Sequence, residues 1–435
     1  MIKTELIQNK YFWGRIILFF VLPVSVFLSF NKHSKDKYSN YHSVIWADAA
    51  GYYVYLPIWF IYGNNSDKFP ENILQKSGDG FRYDDKNKTV ITKYTCGVAI
   101  LQTPFFLITH FIASPLGFDA DGFSKIYYWS VMIAGVFYLC LGLFFVYLFL
   151  CNYFKPFQAF LTTLIIFLCT NLYYYSIDNS GMSHVYSFFL FSVLAFITSR
   201  SVTKLKKVYI VYLGIIMTLI FLCRPINIIV AIFPFFFFIS DLTSIKERTI
   251  KLIENYRIPF FLAFASFIIV LIPQLLYWKK ISGNYFLDTY SGETFSNWNS
   301  PKLILAWFST NNGLFTYTPL MFLIIIGMLS MISKREQNGK LFLTIFLIFS
   351  YIFSSWWSWW FGCAYGYRSF VEYYALFSFP LAHILFRQNK VYLKRAMYLF
   401  VLFCLYWNME MIYYYDGCFY GGEWDWDTYI KLLRK

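Results

Sequence analysis

Ile45-Trp46-Ala47-Asp48-Ala49-Ala50-Gly51-Tyr52-Tyr53-Val54-Tyr55-Leu56-Pro57 sets a single carboxylate between a first apolar run and an aromatic, interface-seeking helix. The apolar run covers about Phe12 to Phe30, long enough to cross a bilayer at helical rise. Lys3, Lys10 and Arg15 stand at its start, and it lacks a small-x-small cleavage pattern before Asn31. It therefore reads as an uncleaved first span whose basic, N-terminal end is cytoplasmic. Asp48 then falls in the first loop on the opposite face.

Composition agrees with that opening. Of 435 residues, 58% are hydrophobic and only 14% charged, too few charges to coat a soluble domain of this size. The chain is expected to be an all-α polytopic membrane protein. Its net charge of +14 would suggest nucleic acid in a soluble protein. Here most basic residues outside the first loop punctuate apolar runs, where they set topology, so no nucleic acid is expected. Eight cysteines without CxxC spacing argue against metal or redox chemistry. Cys96, Cys363 and Cys418 could all face outward, leaving a disulfide between two of them open.

Further spans are expected at about 127–150, 157–175, 184–199, 208–223, 226–240, 259–277, 315–332, 341–355, 370–386 and 394–412. The run 96–113 is short and carries Gln102, Pro104 and His110. If it does not cross, Lys155, the cluster Arg200/Lys204/Lys206/Lys207, the cluster Lys246/Arg248/Lys251/Arg257, Lys334/Arg335/Lys340 and Arg387/Lys390/Lys394/Arg395 all lie inside. If it crosses, that bias inverts. The positive-inside rule thus predicts eleven spans in one domain (1–435), with 96–113 half-buried within a first outer loop, 31–126, that carries amphipathic helices. No internal repeat is evident, which disfavours an inverted-repeat transporter.

The unusual polar residues then collect on the outer face, and each has a functional and a structural reading. Asp48 could take a proton from an acceptor hydroxyl or merely cap the helix after it. Arg224, just before Pro225 in a tight hairpin, could grip a phosphate or anchor a lipid headgroup. Arg368 and Glu372, four residues apart, could share a helix face as an ion pair, or Arg368 could reach a phosphate or sugar. Lys93, at the end of the charged part of the first loop, could do the same work. Asp178 and His184 bracket a turn, and His184 could shuttle a proton or be a satisfied structural histidine. Tyr52 and Tyr55 are candidates to line the substrate site. Trp356, Trp357, Trp359 and Trp360 read as an interfacial belt or as a sugar-stacking surface. Asp119-Ala120-Asp121 and Asp425-Trp426-Asp427 match a D-x-D metal pattern that needs a nucleotide-binding domain, which this chain lacks.

At these residues the sequence resembles the GT-C superfamily of multi-spanning glycosyltransferases, which includes protein O-mannosyltransferases, lipid A aminoarabinose transferases and bacterial relatives using polyprenyl-phosphate sugars. The family's early acidic residue in the first outer loop corresponds to Asp48 in Ala47-Asp48-Ala49-Ala50-Gly51-Tyr52-Tyr53. Its Lys-x-Pro-like approach to a short apolar helix corresponds to Lys93-Tyr94-Thr95-Cys96-Gly97, with the lysine kept and the proline absent. The Gly181-to-His184 turn, the Arg224-Pro225 hairpin and the Trp356-to-Glu372 run look like bacterial members of the group.

The resemblance implies a GT-C-like fold and transfer of sugar from a polyprenyl-phosphate donor on the periplasmic face of a bacterial inner membrane. Asp48 would be the base, with inversion at the anomeric carbon, and Lys93, Arg224 and Arg368 would hold the phosphate. Asp178 and His184 would complete the pocket. Partners would be that lipid-linked donor, membrane lipid, and a glycan, lipid or protein acceptor. Ala47 and Ala49 replace the second acidic residue of many members, so no cofactor is expected and a divalent metal is the disfavoured alternative. The rival readings are a transporter or flippase, or a polymerase, of lipid-linked glycans.

Overall fold

A computed structural model describes residues 11–432 apart from 36–37, 39, 204–205, 239–249, 251–253, 255, 291, 417 and 419–423. The topogenic residues Lys3, Lys10, Lys204, Lys246, Arg248 and Lys251 lie outside the described residues. Seven helices are long and apolar enough to cross a membrane: Tyr11–Lys32, Gly97–Leu116, Lys125–Leu150, Ser183–Val202, Arg257–Ser282, Arg368–Phe386 and Val391–Tyr414. Five shorter apolar helices, Pro156–Leu168, Lys207–Cys223, Pro225–Phe236, Leu320–Ser333 and Gly339–Ser354, complete the described set. Leaving Gly97–Leu116 aside, these eleven fall on the eleven expected segments. The chain is an all-α polytopic membrane protein.

Burial sorts the helices into layers. Arg368–Phe386 and Ser183–Val202 are the most enclosed, while Tyr11–Lys32, Arg257–Ser282 and Val391–Tyr414 turn most of their apolar surface outward. Phe261, Phe264 and Ile269 are among the large side chains so exposed, as expected where lipid replaces water as the outer solvent. The inner helices approach closely through small residues. A Cβ on Gly327 would lie 2.2 Å from the Pro380 carbonyl oxygen.

Two expected spans are broken rather than continuous. The segment at 157–175 ends as a helix at Leu168 and restarts at Leu172–Ile177. Asn408 spans the gap, donating through Nδ2 to the carbonyls of Leu168 and Thr170 at 2.9 Å each. A break at such depth requires side-chain partners for the freed backbone groups, and Asn408 supplies them. At 315–332 the helix Leu314–Tyr317 stops at Thr318-Pro319 before Leu320–Ser333 begins, because proline has no N–H to continue the ladder.

The bundle has two chemically distinct ends. At one, Asn152 bonds Ser199, Phe238 N–H donates to Asn338, and Arg387 pairs with Glu336 at 3.0 Å. At the other, Lys32 meets Asp178 at 3.2 Å and Ser29 donates to the Ile177 carbonyl. Gly97–Leu116 starts against the backbone of Leu222 and Cys223. Tyr53 and Tyr62, which precede it, donate to the carbonyls of Gly122 and Asp121, which follow it. It runs antiparallel beside the first half of Lys125–Leu150, with Leu101 accepting from Tyr138 and His110 bonded to Tyr127.

The first loop folds as the helix Asp48–Tyr53, the turns to Tyr62, and an antiparallel hairpin of Arg82–Asp84 with Thr89–Ile91. The sequence points to amphipathic helices in this loop, and the hairpin stands beside them as a feature it does not announce. Its turn forms because the Asp84 carboxylate accepts from the Lys86 and Asn87 amides, the local bond that makes aspartate a turn residue. Of the three cysteines considered for the outer face, Cys363 and Cys418 are disulfide-bonded and Cys96 is a buried free thiol.

Candidate active site at one end of the bundle

Asp48 opens the helix Asp48–Tyr53, and the residue before it fixes its direction. Ala47 adopts φ 47°, ψ −121°, a backbone state costing about 1–3 kcal/mol for a residue with a Cβ. Packing enforces it. The Ala47 amide donates to Ser77 O at 2.8 Å and its carbonyl accepts from Gly51. A Cβ on Gly80 would lie 2.0 Å from Ala47 O, and one on Gly181 would lie 1.8 Å from Val44 O. Two glycines, one from the first loop and one from the turn before the Ser183 helix, thus clamp the segment leading into Asp48.

The Asp48 carboxylate caps no helix. Oδ2 accepts from Arg368 Nη2 at 3.0 Å, and Oδ1 accepts from the Tyr94 hydroxyl. The carboxylate remains about one-third exposed. Burial pushes its pKa up, but the Arg368 guanidinium, the Tyr94 bond and the Lys93 ammonium together outweigh that and hold it below the usual carboxylate value. The neighbouring phenols move the other way. Burial and the Asp48 charge drive Tyr94 well above its usual value, and Tyr52, buried and bonded to Ser183, is pushed up to about 12.

Beside this pair sits a second one, with Glu372 fully buried and Arg224 largely so. Glu372 Oε1 accepts from Arg224 Nη1 and Asn227 Nδ2, both at 2.8 Å, and Oε2 faces His184 Nδ1 at 3.3 Å. Arg224 Nη2 also reaches Ser369 at 3.3 Å, and Tyr373 donates to Asn227 at 2.9 Å. A buried carboxylate with several donors is the arrangement under which such a charge is tolerable. Arg368 and Glu372 therefore do not pair with each other, contrary to the i,i+4 expectation. Arg368–Tyr373 is a 3-10 turn, in which three residues complete a turn and positions four apart diverge.

Lys93 points toward the loop after the Arg257 helix. Its ammonium lies 2.6 Å from Glu293 Oε1 and within 5.6 Å of the Tyr290 ring centre, and Thr289 donates to its carbonyl at 2.6 Å. Between these groups opens a cavity of about 420 Å³, lined by Asp48, Lys93, Tyr94, Tyr290, Glu293 and the Gly78–Arg82 turn. That volume lies within the range of roughly 300–1,000 Å³ typical of small-molecule sites.

No protein-family model matches the chain, and no curated protein matches it. Among solved structures, two crystal structures of the Archaeoglobus fulgidus oligosaccharyltransferase are similar. The apo form has a TM-score of 0.48 at 13% identity, over 92% of this chain and 56% of that one. The complex with zinc and sulfate has a TM-score of 0.42 at 15% identity, over 90% and 51%. The chain spans about half the length of those structures. Likeness at this level assigns nothing, and function is read from this chain's own residues.

The remaining sequence candidates divide. Tyr52 packs against Tyr94 with ring centres 4.3 Å apart and the planes tilted by 39°, beside Asp48. Tyr55 instead serves the scaffold, donating to the Tyr94 carbonyl at 2.7 Å and meeting Gln274. Asp178 faces Lys32 rather than the cavity. None of the four tryptophans lines the cavity. Their connector holds the 283–300 loop by its backbone, through Trp357 N–H to Thr294 O and Asn297 Nδ2 to Trp356 O. Asp121 and Asp425, the D-x-D lookalikes, accept from nearby backbone amides of Phe123, Ser124 and Thr428.

Sequence reasoning missed Tyr94, Glu293, Tyr290 and Asp79. Tyr94 adjoins Lys93 and was within reach of a positional argument. Glu293 lies 200 positions from its partner, with no local signal.

Proposed function

We propose that the protein is an integral-membrane glycosyltransferase that moves a sugar from a polyprenyl-phosphate donor to an acceptor hydroxyl, with Asp48 as general base. The observation that carries this reading is one ionised, partly exposed carboxylate at the head of a cavity, between a guanidinium and a phenol.

The chemistry follows from those groups. An acceptor hydroxyl attacks the anomeric carbon from the side opposite the phosphate. As the new C–O bond forms, Asp48 takes the hydroxyl proton, the anomeric C–O–P bond breaks, and the phosphate leaves with the bonding electrons. Configuration inverts. The leaving group is already anionic and needs cations rather than an acid. Arg368 and Arg224 supply them, each having N–H groups beyond those holding Asp48 and Glu372. This differs from glycoside hydrolysis, which needs two opposed carboxylates. The reading is metal-independent, because Arg368 and Lys93 already provide positive charge around Asp48.

Placement of the site on the periplasmic side of a bacterial inner membrane, with the N-terminus cytoplasmic, is supported by two features. The far end of the bundle carries Lys155, Arg387 and Lys334, and the site end carries the Cys363–Cys418 bond, which persists in oxidising compartments.

The test compares wild type with Asp48→Asn in membranes lacking the native copy, using radiolabelled polyprenyl-phosphate sugars. The expected outcome is a fall in transfer of about 10²–10⁴-fold at equal protein abundance. Undiminished transfer by Asp48→Asn removes the assignment.

A further inference from the structure

Asp48 divides its surroundings in two. On one side lie Arg224, Glu372 and His184, none of which lines the cavity. On the other lies the cavity, walled by the Asp48 segment, the Gly78–Arg82 turn, the strand end at Ile91 to Tyr94, and Thr289 to Glu293. The two arginines assigned to the donor phosphate, Arg224 and Arg368, do not line the cavity, whose own cations are Lys93, already held by Glu293, and the exposed Arg82, so the cavity is left for the molecule that surrenders a proton to Asp48. We propose that the cavity is an acceptor subsite for a saccharide, bound as a pyranose ring through its hydroxyls, an inference that rests on Asp48 being the base.

The lining chemistry selects that class. Asp79 holds φ 51° between Gly78 and Gly80. Its carboxylate has no hydrogen bond or ion pair among the described residues. Across the cavity, Glu293 presents a second carboxylate whose Oε1 is held by Lys93. A carboxylate has two acceptor oxygens and no donor, which suits pairs of neighbouring hydroxyls. Tyr290 adds a ring face for the apolar side of a pyranose. Lipid chains find little here, since Ala47 and Ile91 are the only aliphatic side chains among the described lining residues. An extended peptide would pair along a sheet edge, and the paired strand residues Arg82 and Ile91 border the cavity, so peptide binding is the competing outcome of the test.

Binding can be read without any donor. The intact protein in nanodiscs is examined by saturation-transfer NMR with methyl glycosides of hexoses and aminohexoses, with short serine- and threonine-containing peptides, and with empty nanodiscs as reference. At least one methyl glycoside is expected to bind. Asp79→Gly, which keeps the left-handed backbone, is expected to weaken it by about tenfold or more. Asp79→Asn, which keeps hydrogen-bonding capacity, is expected to weaken it less, and Asp85→Ala, in the hairpin turn outside the lining, not at all. No glycoside signal above empty nanodiscs, binding of peptides alone, or glycoside binding indifferent to Asp79→Gly would overturn the proposal. Glycoside binding that depends on Asp79, in a protein whose Asp48→Asn variant still transfers sugar, would keep the subsite and remove only the base.

Discussion

At the residue scale, the site turns on how one carboxylate is poised. Asp48 is half-desolvated yet has a lowered pKa, because Arg368, Tyr94 and Lys93 outweigh burial. With the folded value below the unfolded one of about 3.9, the pairing contributes stability above that pH and loses it as pH falls through the lowered value. Removing Arg368 leaves the desolvation and deletes the largest opposing contribution, so the pKa must rise. Arg368→Gln is therefore expected to shift the acid limb of the kcat/KM profile toward neutrality, besides lowering the plateau through lost phosphate binding. A pH–rate profile checks it, and an unmoved acid limb would show that Asp48 does not govern that limb. Asp48 itself was legible from its place after the first span. Its partners were not, since Arg368 and Tyr94 reach it by tertiary packing. Of the two readings open for Arg368 and Glu372, the ion pair rested on α-helical spacing, which does not hold in a segment that folds as a tighter turn.

At the element scale, apolar runs predicted where helices lie but not where they break. The gap at 169–171 depends on Asn408, some 240 positions away, and nothing local in the sequence announces it. The hairpin at Arg82–Ile91 was hidden because its strands are three residues each inside a charged stretch. The element that positions the Asp48 carboxylate most tightly is the turn at Gly181, where an added Cβ would meet Val44 O at 1.8 Å. Backbone cannot give way as a side-chain tip would. Gly181→Ala is expected to lower the unfolding temperature of the detergent-purified protein and to cost about 1–3 kcal/mol. A thermal melt unchanged from wild type would mean that the clamp is looser than described.

At the scale of the whole molecule, the eleven apolar segments and their charge bias were legible because lipid imposes one rule on every span. The internal layering was not, since helices apolar all round carry no stripe to say which face is central. Two ends follow from the packing, and they make a topological prediction. Single cysteines placed at Asn152 and at Asp85, in an otherwise cysteine-free background, are expected to react with an impermeant maleimide from opposite sides of sealed vesicles. Labelling of both from one side would contradict the two-ended arrangement.

The ion pair between Asp48 and Arg368 joins positions 320 apart. On a ribosome adding about 5–20 residues per second, the carboxylate waits roughly 15–60 s for its guanidinium. Through that interval the first loop has left the membrane with its acid unmatched, while Glu372 and both arginines are still unmade or unplaced. The proposed active centre is thus a late product of biogenesis, closed when the penultimate described apolar helix docks. A chain interrupted before that helix would carry every feature of the first loop and lack the Asp48–Arg368 pair.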